Sequence, residues 1–154
     1  MYQFTDGGLR NVWLSNGYVE RETPYGSGIF FHDLDGLVIA ICRALCKKPG
    51  KLSGAEFRYI RAALLLSQKA LGQLFGYTEQ AVAKWEKHGK VPKVVDAALR
   101  MIFIERHDGN KKVTAAVDML NAIDRISNAK IIITEEKSKW TSTIEVCDDA
   151  EAAN

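Results

Sequence analysis

The chain has 154 residues, 47% of them apolar, enough for one domain of ordinary size or a small core with appendages, and unlike a disordered protein. Its longest apolar runs fall far short of a membrane span and no charged-then-apolar leader opens it, so a soluble intracellular protein with no membrane partner is expected. The net charge of +2 divides into −3 over residues 1–42, +9 over 43–112 and −4 over 113–154, an asymmetry expected of a nucleic-acid-binding segment inside a larger protein.

The first thirty residues read as β. NVWLSNGYVERET holds two short strand-like runs around Asn16-Gly17, a hairpin signal because both turn residues tolerate positive φ. Pro24 and the Gly26-Ser27-Gly28 cluster are expected to break the pattern before a further strand at Ile29-Phe30-Phe31. Asp33 or Asp35 is placed to cap a helix whose apolar face is Leu37, Ile41, Ala44 and Leu45, ending at Lys47-Lys48-Pro49-Gly50. The two acidic positions there lack the closing glutamate of a calcium loop.

Ser53-Gly-Ala-Glu56 has the form of a capping box and opens a helix running from Gly54 to about Leu66, with Phe57, Ile60 and Leu64 as its stripe. Ser67 caps a short helix carrying Leu71, Leu74 and Phe75, and Gly76 fits the left-handed position just past its end. Thr78 caps the next helix, whose inward residues are Val82 and Trp85. Pro92 precedes a helix marked by Val95, Ala98, Leu99, Ile102 and Phe103 and stopped by Asp108-Gly109-Asn110. Val113, Ala116, Val117, Leu120, Ile123 and Ile126 predict one more helix, and Lys130–Thr134 with Trp140–Val146 a strand pair around a charged turn. The fold class read from these elements is α+β, mainly α. A β-rich region with one helix covers 1–50, a helix-turn-helix bundle 51–108, a helix and strand pair suited to dimerisation 109–147, and a flexible tail 148–154.

Chemistry-bearing residues are few. Cys42 and Cys46 lie four apart on a predicted helix and Cys147 lies far from both, which makes neither a disulfide framework nor a zinc site; buried, inert thiols are expected. His32, His88 and His107 have no serine or cysteine nucleophile at a recognisable spacing, so no catalytic residue, metal or cofactor is expected.

Residues 67–88 are more specific. Each helix there spans only two to three turns, too short to persist alone, so the two must stabilise one another by packing at a steep angle. That is the helix-turn-helix arrangement, which leaves the second helix free to enter a major groove. With Val82 and Trp85 facing inward, Gln80, Lys84 and Lys87 form an outward stripe at i, i+4 and i+7. Glutamine can pair bidentately with adenine, and lysine can reach guanine or phosphate. Glu79 could accept from a cytosine amine or simply favour the helix N-terminus.

LSQKALGQLFGYTEQAVAKWEKHGKVP resembles the Cro/phage-repressor (Xre-type) helix-turn-helix family, with Leu66, Ser67, Gln68, Leu71, Gly76, Thr78, Val82, Trp85, Glu86 and Pro92 in register. Gly72 replaces the usual alanine, which should loosen the helix by about 1 kcal/mol. His88-Gly89 lengthens the Glu-x-Gly step by one residue. The resemblance implies that Gln68 contacts a phosphate or a base edge, that Glu79, Gln80 and Lys84 occupy base-reading places, and that Glu86 pairs with Arg61. Lys69 and Lys93 are expected on phosphates, beside Thr78 and Lys87 at the same interface. The N-terminal flank GLRNVWLSNGY is faintly similar to MqsA-like antitoxins, without their paired cysteine ligands. The expected function is a dimeric, sequence-specific repressor of the bacterial cytoplasm or nucleoid, bound to a palindromic site in double-stranded DNA. The alternative is an antitoxin that holds a partner toxin and autoregulates its operon.

Overall fold

The computed structural model describes residues 1–109 and 127–148, which belong to two separate compact units. The fold is α+β and mainly α. The described elements are β1 (Tyr2–Phe4), β2 (Val12–Leu14), β3 (Tyr18–Thr23), β4 (Gly26–Phe31), α1 (Leu34–Lys47), α2 (Gly54–Ala63), α3 (Gln68–Phe75), α4 (Glu79–His88), α5 (Lys93–Asp108), β5 (Ser127–Glu136) and β6 (Lys139–Asp148). The helix expected over 113–126 and the tail after 148 lie outside the described residues.

The N-terminal strands pair differently from the expected hairpin. The chain bends at Asn16-Gly17, with Gly17 at φ 82°, but β2 and β3 on its two sides belong to different sheets. β2 pairs antiparallel with β1, Gln3 opposite Trp13, while β3 pairs with β4, Tyr18 opposite Phe31. The reason lies in residues 23–26. Pro24 presets the backbone of a tight turn, the Thr23 hydroxyl donates to the Gly26 carbonyl at 2.7 Å, and the Tyr25 N–H donates back to that hydroxyl at 3.3 Å. The stretch expected to break the β pattern is therefore a hairpin turn followed by strand, and β4 begins at Gly26. Pairing Tyr18 with Phe31 sets both rings against β1, where Tyr2 and Tyr18 lie 5.4 Å apart and Phe4 and Phe31 5.6 Å.

This β region and the helices, residues 1–50 and 51–108 of the sequence reading, share one core. Phe4 and Leu9 are buried in the same cluster as Ile41, Phe57, Ile60, Leu71, Val82, Leu99 and Phe103. Two polar ties add to it. Arg58 of α2 donates to the Gly7 carbonyl at 2.9 Å, and Asn11 donates to Glu56 at 3.3 Å.

The helix starts follow their caps. Asp33, not Asp35, caps α1, accepting the Gly36 N–H at 3.0 Å. Ser53 and Glu56 form the complete capping box at the head of α2, with bonds of 3.1 and 2.7 Å. α2 stops at Ala63, earlier than expected, in a Schellman motif: Leu66 N–H to Arg61 O at 3.3 Å and Leu65 N–H to Ala62 O at 3.0 Å. Leu65 takes the left-handed place glycine usually fills, at φ 58°, with its side chain 92% exposed. α5 buries Val95, Leu99, Ile102 and Phe103, as its periodicity predicts, and ends at Gly109. At its first turn Asp96 accepts the Leu52 N–H at 2.8 Å, and Arg100 bridges from Asp96 to the carbonyls of Lys48 and Gly50.

In the second unit β5 and β6 pair from Ser127↔Asp148 to Glu136↔Lys139, longer than the runs read from the sequence. Lys137 and Ser138 both have positive φ, 49° and 63°, as a two-residue hairpin turn of the I′ kind requires.

Candidate nucleic-acid interface

α3 and α4 are joined by Gly76, Tyr77 and Thr78. Ser67 accepts the Ala70 N–H at 3.0 Å to start α3, and Gly76 ends it in the left-handed conformation, φ 78°. Thr78 then accepts the Ala81 N–H at 3.2 Å and starts α4. All three devices stand where the sequence put them. Leu71 is buried while Leu74 and Phe75 are half-buried, so α3 commits one side chain fully to the core.

Gly72 lets the turn backbone approach α3 closely. A Cβ at this position would lie 2.6 Å from the Tyr77 carbonyl oxygen and 3.2 Å from that of Thr78. The Tyr77 N–H in turn donates to the Gly72 carbonyl at 2.7 Å. The close neighbour is thus the turn backbone itself, pressed against α3 where no side chain intervenes. Gly54 plays the same part between α2 and α4: a Cβ there would overlap the Glu86 carbonyl. Its spacing in the sequence carried no sign of this, because the contact joins residues 32 positions apart.

α4 is anchored from within by Val82 and Trp85. The Trp85 ring meets Phe57 of α2 edge-on at 6.2 Å and Tyr77 of the turn at 4.7 Å, which ties α4 to both neighbours. The ion pair implied by the family resemblance is present. Arg61 Nε and Nη2 reach the two Glu86 oxygens at 3.0 and 2.8 Å, with side-chain exposures of 14% and 5%. Arg61 Nη1 also donates to the Leu66 carbonyl at 2.8 Å, so the pair braces the α2–α3 loop as well as α4. Gln68 lies half-buried with its amide nitrogen 3.5 Å from Glu86, a long contact that turns its donor toward the ion pair. Its other face remains at the start of α3.

Thr78, Glu79, Gln80, Lys84 and Lys87 are all exposed, and so are Lys69 on α3 and Lys93 at the head of α5. α4 runs through His88, and Gly89 closes it with its N–H on the Trp85 carbonyl at 2.7 Å. Beside it, Gln80, Lys84, His88 and Lys90 line an open groove that has Trp85 at its floor. Neither Lys90 nor His88 was assigned to the interface from the sequence; their place in the basic central segment was the available signal.

Glu56, at the head of α2, is held in place rather than offered to solvent. Burial alone would raise the Glu56 carboxyl, but hydrogen bonds from the Lys48 ammonium at 2.7 Å and the Ser53 N–H outweigh it and hold the group below the usual glutamate value. The α1 thiols fit the inert reading: burial pushes Cys42 up to about 12 and Cys46 up to about 11. The Cys147 side chain lies outside the described residues. Among the described residues no group of His, Cys, Asp and Glu is arranged to hold a metal ion, and no helix is long and apolar enough to cross a membrane.

Comparison with protein-family models, with characterised proteins and with solved structures finds no match for this chain.

Proposed function

We propose that this protein is a sequence-specific DNA-binding transcriptional regulator of the Xre type, with α4 entering the major groove and a homodimer reading a palindromic site. The observation that carries the reading is the division of α4: Val82, Trp85 and Glu86 are fixed in the bundle while Glu79, Gln80, Lys84 and Lys87 all point to solvent. Rigidity matters because bidentate base contacts tolerate little misplacement, and it lowers the ordering cost of binding. Gln80 and Lys84 supply base-edge donors, Glu79 an acceptor, and Lys69, Lys87 and Lys93 the phosphate contacts that give affinity. A single helix of this length discriminates modestly, which favours two half-sites about one helical turn apart.

Selection of bound sites from random duplex DNA tests this directly. Recovery of a two-fold symmetric motif, relaxed at one position per half-site by about 1–3 kcal/mol in Gln80→Ala, is the expected result. An unenriched pool, or a motif unchanged by Gln80→Ala, would sink the assignment. Gel filtration alongside footprinting reads the dimer; a monomer protecting a single half-site would count against it.

A further inference from the structure

Two grooves open beside α4, and His88 lines both. One is the groove with Gln80, Lys84, His88 and Lys90. The other groove is lined by Lys87 and His88 of α4, by the head of α2, and by Arg10 with Asn11 from the N-terminal region. The two carboxylates that face this second groove are already neutralised, Glu86 by Arg61 at 2.8 Å and Glu56 by Lys48 at 2.7 Å. Arg10 and Lys87 are exposed and form no ion pair among the described residues. They therefore set the sign of the groove.

The backbone carrying Arg10 is held on every side. Leu9 is buried in the common core, Gln3 donates to the Arg10 carbonyl at 2.8 Å, and Asn11 reaches Glu56 at 3.3 Å. α2, on which this segment rests, abuts α4 where Gly54 meets the Glu86 carbonyl. The Arg10 backbone is thus fixed relative to α4 although Arg10 and Lys87 lie 77 positions apart in the sequence. A helix with its side chains is about 10–12 Å across and the major groove about 12 Å wide. A helix seated there has one phosphate strand along each flank. The groove with Lys84 and Lys90 is basic, and Arg10 with Lys87 makes the second groove basic too.

Building on the DNA-binding reading above, we infer that Arg10 is a DNA-backbone contact, so that the N-terminal β region forms, with Lys87, a clamp on the phosphate strand along the second groove. Nothing in the charge of residues 1–42, which is −3, pointed to this part of the chain.

The test is equilibrium binding of the full chain to the duplex recovered by selection and to an unrelated duplex, at about 50 and 200 mM salt. Arg10→Ala should weaken both complexes by the same factor and leave the selected motif unchanged. Losing one phosphate contact lowers the slope of log affinity against log salt by about 0.9, so the wild-type advantage should shrink about threefold between those salts. Arg10→Lys should restore the slope, and Arg43→Ala, which removes a cation paired with Asp108 at 3.0 Å, should leave it unaltered. The Arg10 side chain is exposed, so the thermal midpoint should match wild type; should Arg10→Ala fold poorly, Arg10→Gln gives the same reading with its stem intact. Wild-type affinity and slope in Arg10→Ala would overturn the clamp while leaving the regulator reading standing. So would a loss confined to one base position, which would mean base reading. A wild-type chain that binds neither duplex would overturn both.

Discussion

Gly72→Ala separates the propensity of a helix from the geometry around it. By intrinsic preference alone the change should stabilise α3 by about 1 kcal/mol, and alanine is what the resembling family carries at this place. The structure predicts the opposite sign. The new Cβ would sit 2.6 Å from the Tyr77 carbonyl oxygen, against an ordinary contact of 3.4 Å or more, so the turn must retreat by roughly 0.8 Å. That turn has little freedom. Its Tyr77 N–H is bonded to Gly72 at 2.7 Å, its Tyr77 ring lies 4.7 Å from Trp85, and its Thr78 hydroxyl caps α4 at 3.2 Å. Overpacking of this kind costs about 1–3 kcal/mol, and a weakened cap about 1 kcal/mol more. Subtracting the propensity gain leaves a net destabilisation of about 1–3 kcal/mol. Urea unfolding followed by tryptophan fluorescence would measure it, with the exposed Gln73→Ala on the same helix as a control expected within about 0.5 kcal/mol of wild type. A Gly72→Ala protein as stable as wild type, or more so, would refute the close approach.

Glu86→Ala strips a bidentate partner from Arg61 and leaves that guanidinium largely buried beside the Leu66 carbonyl. A loss of about 3–5 kcal/mol in chemical unfolding is expected, and a loss below 1 kcal/mol would show that the pair is solvated. Leu65→Gly should stabilise by about 1 kcal/mol, because the left-handed φ of 58° strains leucine and its side chain is 92% exposed, so little burial is given up. Differential scanning calorimetry reads this one; a lower midpoint than wild type would mean the loop carries no strain. Glu56 sets a pH dependence. Its carboxyl is held below the usual value, so its contribution is complete above the unfolded pKa of about 4.3 and is lost as the pH falls through the folded one. The stability gap between wild type and Glu56→Gln should therefore be widest near neutrality and narrow in acid. A gap independent of pH would remove Glu56 as its source.

Local signals were legible wherever the determining atoms are near in sequence. Asp33, Ser53, Ser67 and Thr78 cap helices because a side-chain oxygen reaches an N–H three residues on, and the Phe57, Ile60, Leu64 stripe follows from the helical period. The Arg61–Glu86 pair was legible only through resemblance, since nothing local joins positions 25 apart. The mispaired hairpin shows the limit from the other side. Asn16-Gly17 and Pro24-Tyr25 are both competent turns, and which of them closes a hairpin depended on Tyr18 and Phe31 finding Tyr2 and Phe4.

By itself, then, the sequence determined where the helices begin, which faces of α3 and α4 are apolar, and where positive charge accumulates, because each is a property of residues within one or two turns of one another. Tertiary structure decided which strands pair, how near α3 lies to its own turn, and that Arg10 and Lys87 line one groove. Those are contacts between distant positions, and they depend on how α2, the β region and α4 fill one shared core.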